Sequence, residues 1–366
     1  MSEKKGDDVI RKLKSLGENV YKEIMKLEQP ELEMPLRDLS NVSYDEKTGF
    51  FDIKGKTKSR TLTASTIKTF AQTIKMMNLS KKLVETNDIA TKRDAYYQSK
   101  GAWGAAGFAE QEESDAIMDD VEAMSGFNRE KIGFIPDEDG SAVAGELIII
   151  DKDTETGEDI RIDCTKMGTG GYSVPATVEQ FKFETKAKFI LAIETAGMFS
   201  RLNYHKFWKK HNCIIISLKG VPSRATRRFI RKLADDKGIP VYVFTDGDPY
   251  GYFNIYRTLK VGSGNAAHIN RYFCVPQAKY IGVTPQDIID YKLPTHPLKD
   301  VDLKKIKDVI KNDPFCKSSK EWQKALAEMV KMGKRVEQQA FSAHSLNFVI
   351  DTYLPDKLKN PKSWLP

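Results

Sequence analysis

Three apolar runs in the second half of the chain constrain the fold most: AKFILAIE, CIIISLKG and IPVYVFTD each read as a buried strand. Helical segments alternate with them, TAGMFSRLNYHKFWKKHN and then VPSRATRRFIRKLADDKG. Strand–helix–strand–helix–strand implies a parallel sheet with right-handed crossovers. Ligands of such sheets bind beyond the carboxyl ends of the strands. Glu194 closes the first run, and Asp246 and Asp248 follow the third in VYVFTDGDPYG, so carboxylates from separate parts of the sequence are expected on one edge. Burying like charges unpaired is expensive, so something positive is expected among them. A hard divalent cation suits an oxygen-only set, Mg²⁺ best, because it keeps several waters and uses one or two carboxylates. The alternative is that Asp246 and Asp248 only cap a helix opening at Tyr250. With Glu194 arriving in the same sheet, that is the weaker reading.

At 366 residues the chain is too long for one ordinary domain. Its 58 Lys and Arg against 51 Asp and Glu give a net charge of +7, compatible with a polyanionic partner without being evidence for one. The N-terminal MSEKKGDDVIRKLKSLGENV has no apolar signal region and no later segment approaches a membrane span, so a soluble cytoplasmic protein with no membrane partner is expected. Cys164, Cys213, Cys274 and Cys316 form no C-x-x-C pair and the histidines no zinc spacing, which predicts free thiols and no zinc. No G-x-x-x-x-G-K-[ST] loop occurs.

Residues 1–62 are expected to be a partner-binding extension: an amphipathic helix, the Pro-containing EQPELEMPLRDLSNV and a hairpin-like FFDIKGKTKSRTL. Residues 63–150 change pattern. A helix carries Ile67, Phe70, Ile74 and Met77 on one face, and the capping-box pattern Thr91–Asp94 opens a second with Tyr96 and Tyr97 in its second turn. A third helix carries Ile117, Val121 and Met124 and stops at Gly126, before a hairpin predicted to turn at Asp139-Gly140. Three helices and a hairpin are the order of a CAP-like winged-helix domain. The third helix is acidic (Glu112, Glu113, Asp115, Asp119, Asp120), unlike a recognition helix aimed at phosphates. Residues 151–184, with MGTGGYSVP, read as a linker, and 185–366 as the α/β domain with a C-terminal helical elaboration. The predicted class is α+β multidomain.

Glu194 after one strand and DGDPYG after a later one resemble the toprim fold of topoisomerases, primases and some nucleases. The surrounding stretches are more specific: LAIETAGMFSRL, LKGVPSRATRRFIRKL, FTDGDPYGYFNIYRTLKVGSGNAAH, WQKALAEMVKMGKRVEQQAF and TYLPDKL. In order from about Thr63 to the C-terminus they resemble the family of archaeal DNA topoisomerase VI A subunits, whose pattern a eukaryotic meiotic double-strand-break protein shares. RDAYYQ resembles that family's nucleophile motif, which implies Tyr97 as the nucleophile with Arg93 and Asp94 at the basic and acidic positions. A phenol is a poor nucleophile at its ordinary pKa and needs nearby positive charge or a base. Arg93, one turn earlier on the same face, would supply that charge or clamp a phosphate oxygen. From the tyrosines alone, ordinary helix aromatics would be the better reading.

The resemblance implies double-strand cleavage through a 5′-phosphotyrosyl link, with Mg²⁺ held by Glu194, Asp246 and Asp248, although Glu194 as general acid or base remains open. It also implies a homodimer in which each tyrosine works with the other protomer's metal site. A separate ATPase B subunit would bind the ATP and complete an A2B2 heterotetramer on nucleoid DNA. Lys92, Arg93, Lys219, Arg224, Arg227, Arg228 and Lys260 are expected to hold the duplex, the first three arginines after LKGVPS reinforced by a helix N-terminus. A nuclease or primase-like polymerase would use the same acids without the tyrosine. A meiotic-type transesterase, or a non-catalytic winged-helix regulator, completes the alternatives.

Overall fold

The computed structural model describes residues 6–136 and 140–366. They divide into two units: the described residues up to Ser43 with 51–136 and Ser263–Tyr272, and Tyr44–Phe50 with 140–262 and Phe273–Pro366. Among the described residues no helix is long and apolar enough to cross a membrane. All four cysteines are buried and unbridged.

The first unit contains α1 (Asp7–Met25), β1 (Glu31–Pro35), β2 (Thr57–Thr61), α2 (Ile67–Thr86), α3 (Lys92–Ala102) and α4 (Gln111–Ser125). Val9, Leu13 and Val20 of α1 and Leu32 and Met34 of β1 share one core with Phe70 and Met77 of α2, Ala95 of α3 and Ile117, Val121 and Met124 of α4. The described residues of this unit before α2 are therefore not an appendage: Val9, Leu13, Val20, Leu32 and Met34 are part of its interior. β2 pairs antiparallel with β1, Glu31 opposite Thr61, and not with the strand Phe50–Ile53 as the hairpin reading expects. In α2, Phe70 and Met77 are buried as expected, while Ile67, in the first turn, stays 59% exposed. The capping box of α3 forms, with Asp94 Oδ2 accepting from the Thr91 N–H at 2.8 Å. α4 stops at Gly126, whose φ of 73° is the left-handed cap that glycine adopts without a Cβ penalty.

The hairpin expected after α4 does not form. Asp139 lies outside the described residues, and the flanking strands part company: Phe134–Ile135 pairs with Ala90–Thr91, whereas β3 (Ala142–Gly145) belongs to the sheet of the second unit. The acidic character of α4 also has an internal cause. Asp120 is buried and receives Arg37, just after β1, and Arg60, on β2 itself, each at 2.6 Å. Asp119 pairs with Arg37 and Arg129, Asp115 with Lys92 of α3 at 2.6 Å, and Glu122 lies 3.5 Å from His268. These carboxylates bind the unit together.

In the second unit, residues 151–184 are folded and not a linker. β4 (Ile148–Lys152) pairs antiparallel with β5 (Asp159–Asp163) and β7 (Lys182–Glu184), and β6 (Tyr172–Ser173) pairs with β3. Next come β8 (Ile190–Ile193), α5 (Ala196–Tyr204), β9 (Ile214–Ser217), α6 (Arg224–Lys237), β10 (Val241–Phe244) and β11 (Lys279–Gly282). The six-stranded sheet runs β6–β3–β9–β8–β10–β11; β9, β8 and β10 are parallel as the apolar runs predict, and β11 adds a fourth parallel strand beyond those runs. Every residue of β8 and β9 is buried, as strands covered on both faces require. Ser223 caps α6 and Gly238 ends it, and Phe229, Ile230 and Leu233 pack its inner face. Because β8 lies between its two sequence successors, the strand order reverses there, and its carboxyl end opens the crevice where such sheets bind ligands.

The ionic centre on α4 predicts a stability effect. Asp120→Asn leaves the largely covered Arg60 without its carboxylate and Arg37 with Asp119 alone, so unfolding free energy should fall by about 3 kcal/mol. The exposed Glu112→Gln on the same helix should change it by less than about 0.5 kcal/mol. Denaturant melts of the two variants check the contrast.

Candidate active site

Glu194 stands just beyond β8 and Asp246 and Asp248 just beyond β10, all on the switch-point edge of the sheet. Glu194 Oε2 accepts the Asp246 N–H at 2.8 Å, joining the two strand ends directly. Each carboxylate is anchored at one oxygen by a backbone N–H: Glu194 by Asp246, Asp246 Oδ1 by Gln338 at 2.8 Å, and Asp248 Oδ1 by Gly251 at 2.7 Å. One anchor per acid fixes orientation without consuming the acceptor capacity of the group.

A late segment, not the local loop, holds this arrangement. Val336 and Gly247 exchange two backbone hydrogen bonds, at 2.8 and 3.1 Å, so residues 335–338 cross directly beside the paired acids. Gly247 is the residue between the aspartates because a Cβ there would lie 2.6 Å from Val336 Cγ1 and 2.8 Å from the Val283 carbonyl oxygen. Gly251 is equally constrained, since its Cβ would meet the Asp246 carbonyl oxygen at 2.5 Å. Gln338 is fully buried; its Nε2 donates to the Phe244 carbonyl, and its Oε1 accepts from the Thr195 hydroxyl at 3.1 Å. Arg335 Nη1 lies 3.8 Å from Asp248 Oδ2. Thr195, Arg335 and Gln338 are site residues that the sequence reading does not assign, although MGKRVEQQAF is among the stretches that carry the resemblance.

The electrostatics fit a cation. Burial, then the Asp246 charge, pushes Glu194 up to about 8. Burial raises Asp246 to about 6, with the Gln338 N–H opposing and Asp248 adding. Burial also raises Asp248, while the Gly251 N–H and Arg335 pull the other way. Among the described residues no three His, Cys, Asp or Glu side chains are gathered tightly enough to enclose a metal ion. The acids share the edge that the sequence reading expects, without closing around a single point. An open, oxygen-only set of desolvated, mutually repelling carboxylates still fits a divalent cation that keeps its own waters.

In the first unit, Tyr97 on α3 is 60% exposed. Tyr96 is tied down: its hydroxyl donates to the Ala109 carbonyl at 3.1 Å, and its ring meets that of Tyr97 edge-on at 5.2 Å. Arg93, one turn before Tyr97, is exposed.

The basic residues expected to hold a duplex separate by environment. Lys219, after β9, is exposed. Arg224 and Arg227 at the start of α6 place their guanidinium groups over the Phe273 ring, at 4.6 and 5.4 Å. Three expectations need correction. Arg228 is spent on a two-bond pair with Glu179, both side chains largely covered. Lys260 is 7% exposed and donates to the Pro276 and Ala278 carbonyls at 2.6 and 2.8 Å, so it ties one loop and faces no duplex. Lys92 is likewise engaged, by Asp115.

Comparison with known proteins covers nearly the whole chain. The family "Type IIB DNA topoisomerase" matches residues 68–134, and "All-beta domain in DNA topoisomerase VI alpha subunit" matches residues 137–187. The toprim domain described for the topoisomerase 6 A subunit together with Spo11 matches residues 189–358. The A subunit of type 2 DNA topoisomerase 6 from Methanocaldococcus jannaschii is 54% identical over 366 residues, covering 100% of this chain and 98% of its own length. The protein of the same name from Methanothermobacter thermautotrophicus is 38% identical over 352 residues, 96% of this chain and 97% of its own. That of Archaeoglobus fulgidus is 36% identical over 355 residues, 95% of this chain and 96% of its own. A chain with these strands, these acids and such relatives along its full length belongs to the A-subunit family of type 2 DNA topoisomerase 6.

Proposed function

We propose that this chain is the DNA-cleaving subunit of a type IIB topoisomerase and that Tyr97 is its nucleophile. The observation that carries the reading is the contrast on α3: Tyr97 is exposed beside an exposed Arg93, while Tyr96 is fixed by its hydrogen bond to Ala109. The Tyr97 hydroxyl attacks a backbone phosphorus, its proton leaves to a base or water, and the 3′ oxygen departs. The protein is left linked to the 5′ phosphate, and the reverse step reseals the strand. Arg93 pairs with a non-bridging oxygen as charge grows there.

Glu194, Asp246 and Asp248 would hold Mg²⁺, which supplies Lewis-acid stabilisation to the departing oxygen. Glu194 is the acid whose ordinary range is most displaced, so it also suits proton transfer to or from that oxygen. Cutting both strands takes two copies of the chain, and a two-fold dimer supplies them. The ATPase B subunit of an A2B2 assembly would dock on the exposed apolar end of α1, where Tyr21, Met25 and the following Leu27 are uncovered. Duplex DNA would contact Lys219, with Arg224 and Arg227 at the start of α6.

Tyr97→Phe should abolish the covalent protein–DNA adduct trapped by denaturant, with melting temperature and duplex affinity unchanged. Tyr96→Phe should retain the adduct; the opposite result would move the nucleophile to the other ring. A nuclease of the same fold would cut without leaving an adduct.

The raised acids predict a pH dependence. Glu194, at about 8, and Asp246, at about 6, hold protons in the cation-free protein that a bound cation must displace. Mn²⁺ affinity of the isolated chain should therefore rise throughout pH 6 to 8 and level off only about one unit above the Glu194 value. A flat profile in calorimetric titrations would remove the acids from the cation site.

Lys219→Ala should weaken duplex binding with little regard to sequence and lower the salt slope by about one. Arg228→Ala should leave that slope unchanged and lower the melting temperature, because it breaks the largely covered Arg228–Glu179 pair.

A further inference from the structure

Arg335 is placed with more constraint than a surface arginine needs. It ends the short strand Lys334–Arg335, paired opposite His296, and the next residue, Val336, is bound on both sides to Gly247. Its backbone is thus fixed beside the acids, and only its side chain retains freedom. Nη1 stands 3.8 Å from Asp248 Oδ2, an ion-pair distance too long for a hydrogen bond. Nε is buried with no hydrogen-bond partner, and the side chain is 22% exposed. A desolvated donor without an acceptor costs stability. The guanidinium is nevertheless a planar fork suited to two oxygens of one oxyanion.

We propose that Arg335 is a phosphate-binding residue of this site: it faces Asp248, and gives up that carboxylate to a divalent cation while its fork takes the non-bridging oxygens of the phosphodiester being cut. The inference rests on the reading of Glu194, Asp246 and Asp248 as the cation site. An acid that must serve a cation later needs a counter-charge that can leave. Arg335 supplies one at 3.8 Å, and its unspent donors give it somewhere to go.

The test uses the full chain and two independent readouts. Mn²⁺ affinity is measured by electron paramagnetic resonance of the free ion. Cleavage is measured as denaturant-trapped adduct on supercoiled DNA with Mg²⁺, ATP and the B subunit present. Arg335→Gln removes the competing charge, so Mn²⁺ should bind more tightly, on the order of fivefold, while trapped adduct falls at least about tenfold. Arg335→Lys keeps the charge and loses the fork: Mn²⁺ affinity stays within about twofold of wild type and adduct still falls. Opposite movement of the two readouts is what a merely structural role cannot produce. Unchanged Mn²⁺ affinity in Arg335→Gln, or a joint fall of affinity, adduct and melting temperature, overturns the proposal. Should Arg335→Gln fail to fold, Arg335→Lys decides alone, and adduct at the wild-type level overturns it. Asp248→Asn separates the two claims: if it binds Mn²⁺ as well as wild type, the cation site itself is misassigned, and the role of Arg335 falls with it.

Discussion

The exchange of two backbone hydrogen bonds between Gly247 and Val336 is the constraint on which the acidic site depends. It lays residues 335–338 across the loop after β10, and from that one crossing follow the Gln338 N–H on Asp246, the Arg335 charge near Asp248 and the requirement for glycine between the acids. A loop after a strand would otherwise be free to splay its two aspartates toward water, where each would titrate normally and hold nothing. The crossing keeps them at the strand ends, beside Glu194, at the cost of desolvation that raises all three.

That cost is the functional content of the site. Each acid receives a backbone N–H, which orients it without neutralising it. The nearby cation, Arg335, stands off at ion-pair distance. Full pairing of the cluster with lysines or arginines would have made it more stable and useless, since a divalent ion would then compete against ammonium groups in hydrogen-bond contact. Partial compensation leaves the carboxylates oriented, crowded and short of positive charge, which is the condition under which a hydrated cation gains most by binding.

What the sequence made legible was local. The buried parallel strands were readable because strands covered on both faces are apolar without interruption, and the capping box at Thr91–Asp94 and the stop at Gly126 because each acts within one turn. The pairing of Glu31–Pro35 with Thr57–Thr61 was not, because Phe50–Ile53 offers an equally plausible neighbour and periodicity does not choose between them. The burial of α1 was hidden for a similar reason: an amphipathic face reads the same whether its partner is another protein or the chain's own interior. Likewise, strand-end logic puts Glu194, Asp246 and Asp248 on the one edge where they lie, whereas Arg335 and Gln338 reach them from some 90 positions away, and no spacing rule spans that distance. Resemblance pointed at their stretch without saying what it does.

Positive charge illustrates the same limit and explains the acidic α4. A basic residue contributes to duplex binding only if its charge is not already spent, and Arg228, Lys260 and Lys92 are spent on Glu179, on carbonyls and on Asp115. The converse holds for the acids of α4. Asp120 is answered by Arg37 and Arg60, Asp119 by Arg37 and Arg129, and Asp115 by Lys92 on α3, the helix that carries Tyr97. Carboxylates closed in pairs repel a phosphate backbone far less than the count of Asp and Glu suggests, because the field of a pair falls off faster than that of a charge. α4 can therefore lie next to a tyrosine helix meant for DNA and still be acidic. Its charges fasten β1, β2 and α3 around it, while Arg93 and Tyr97 are among the residues of α3 that stay exposed.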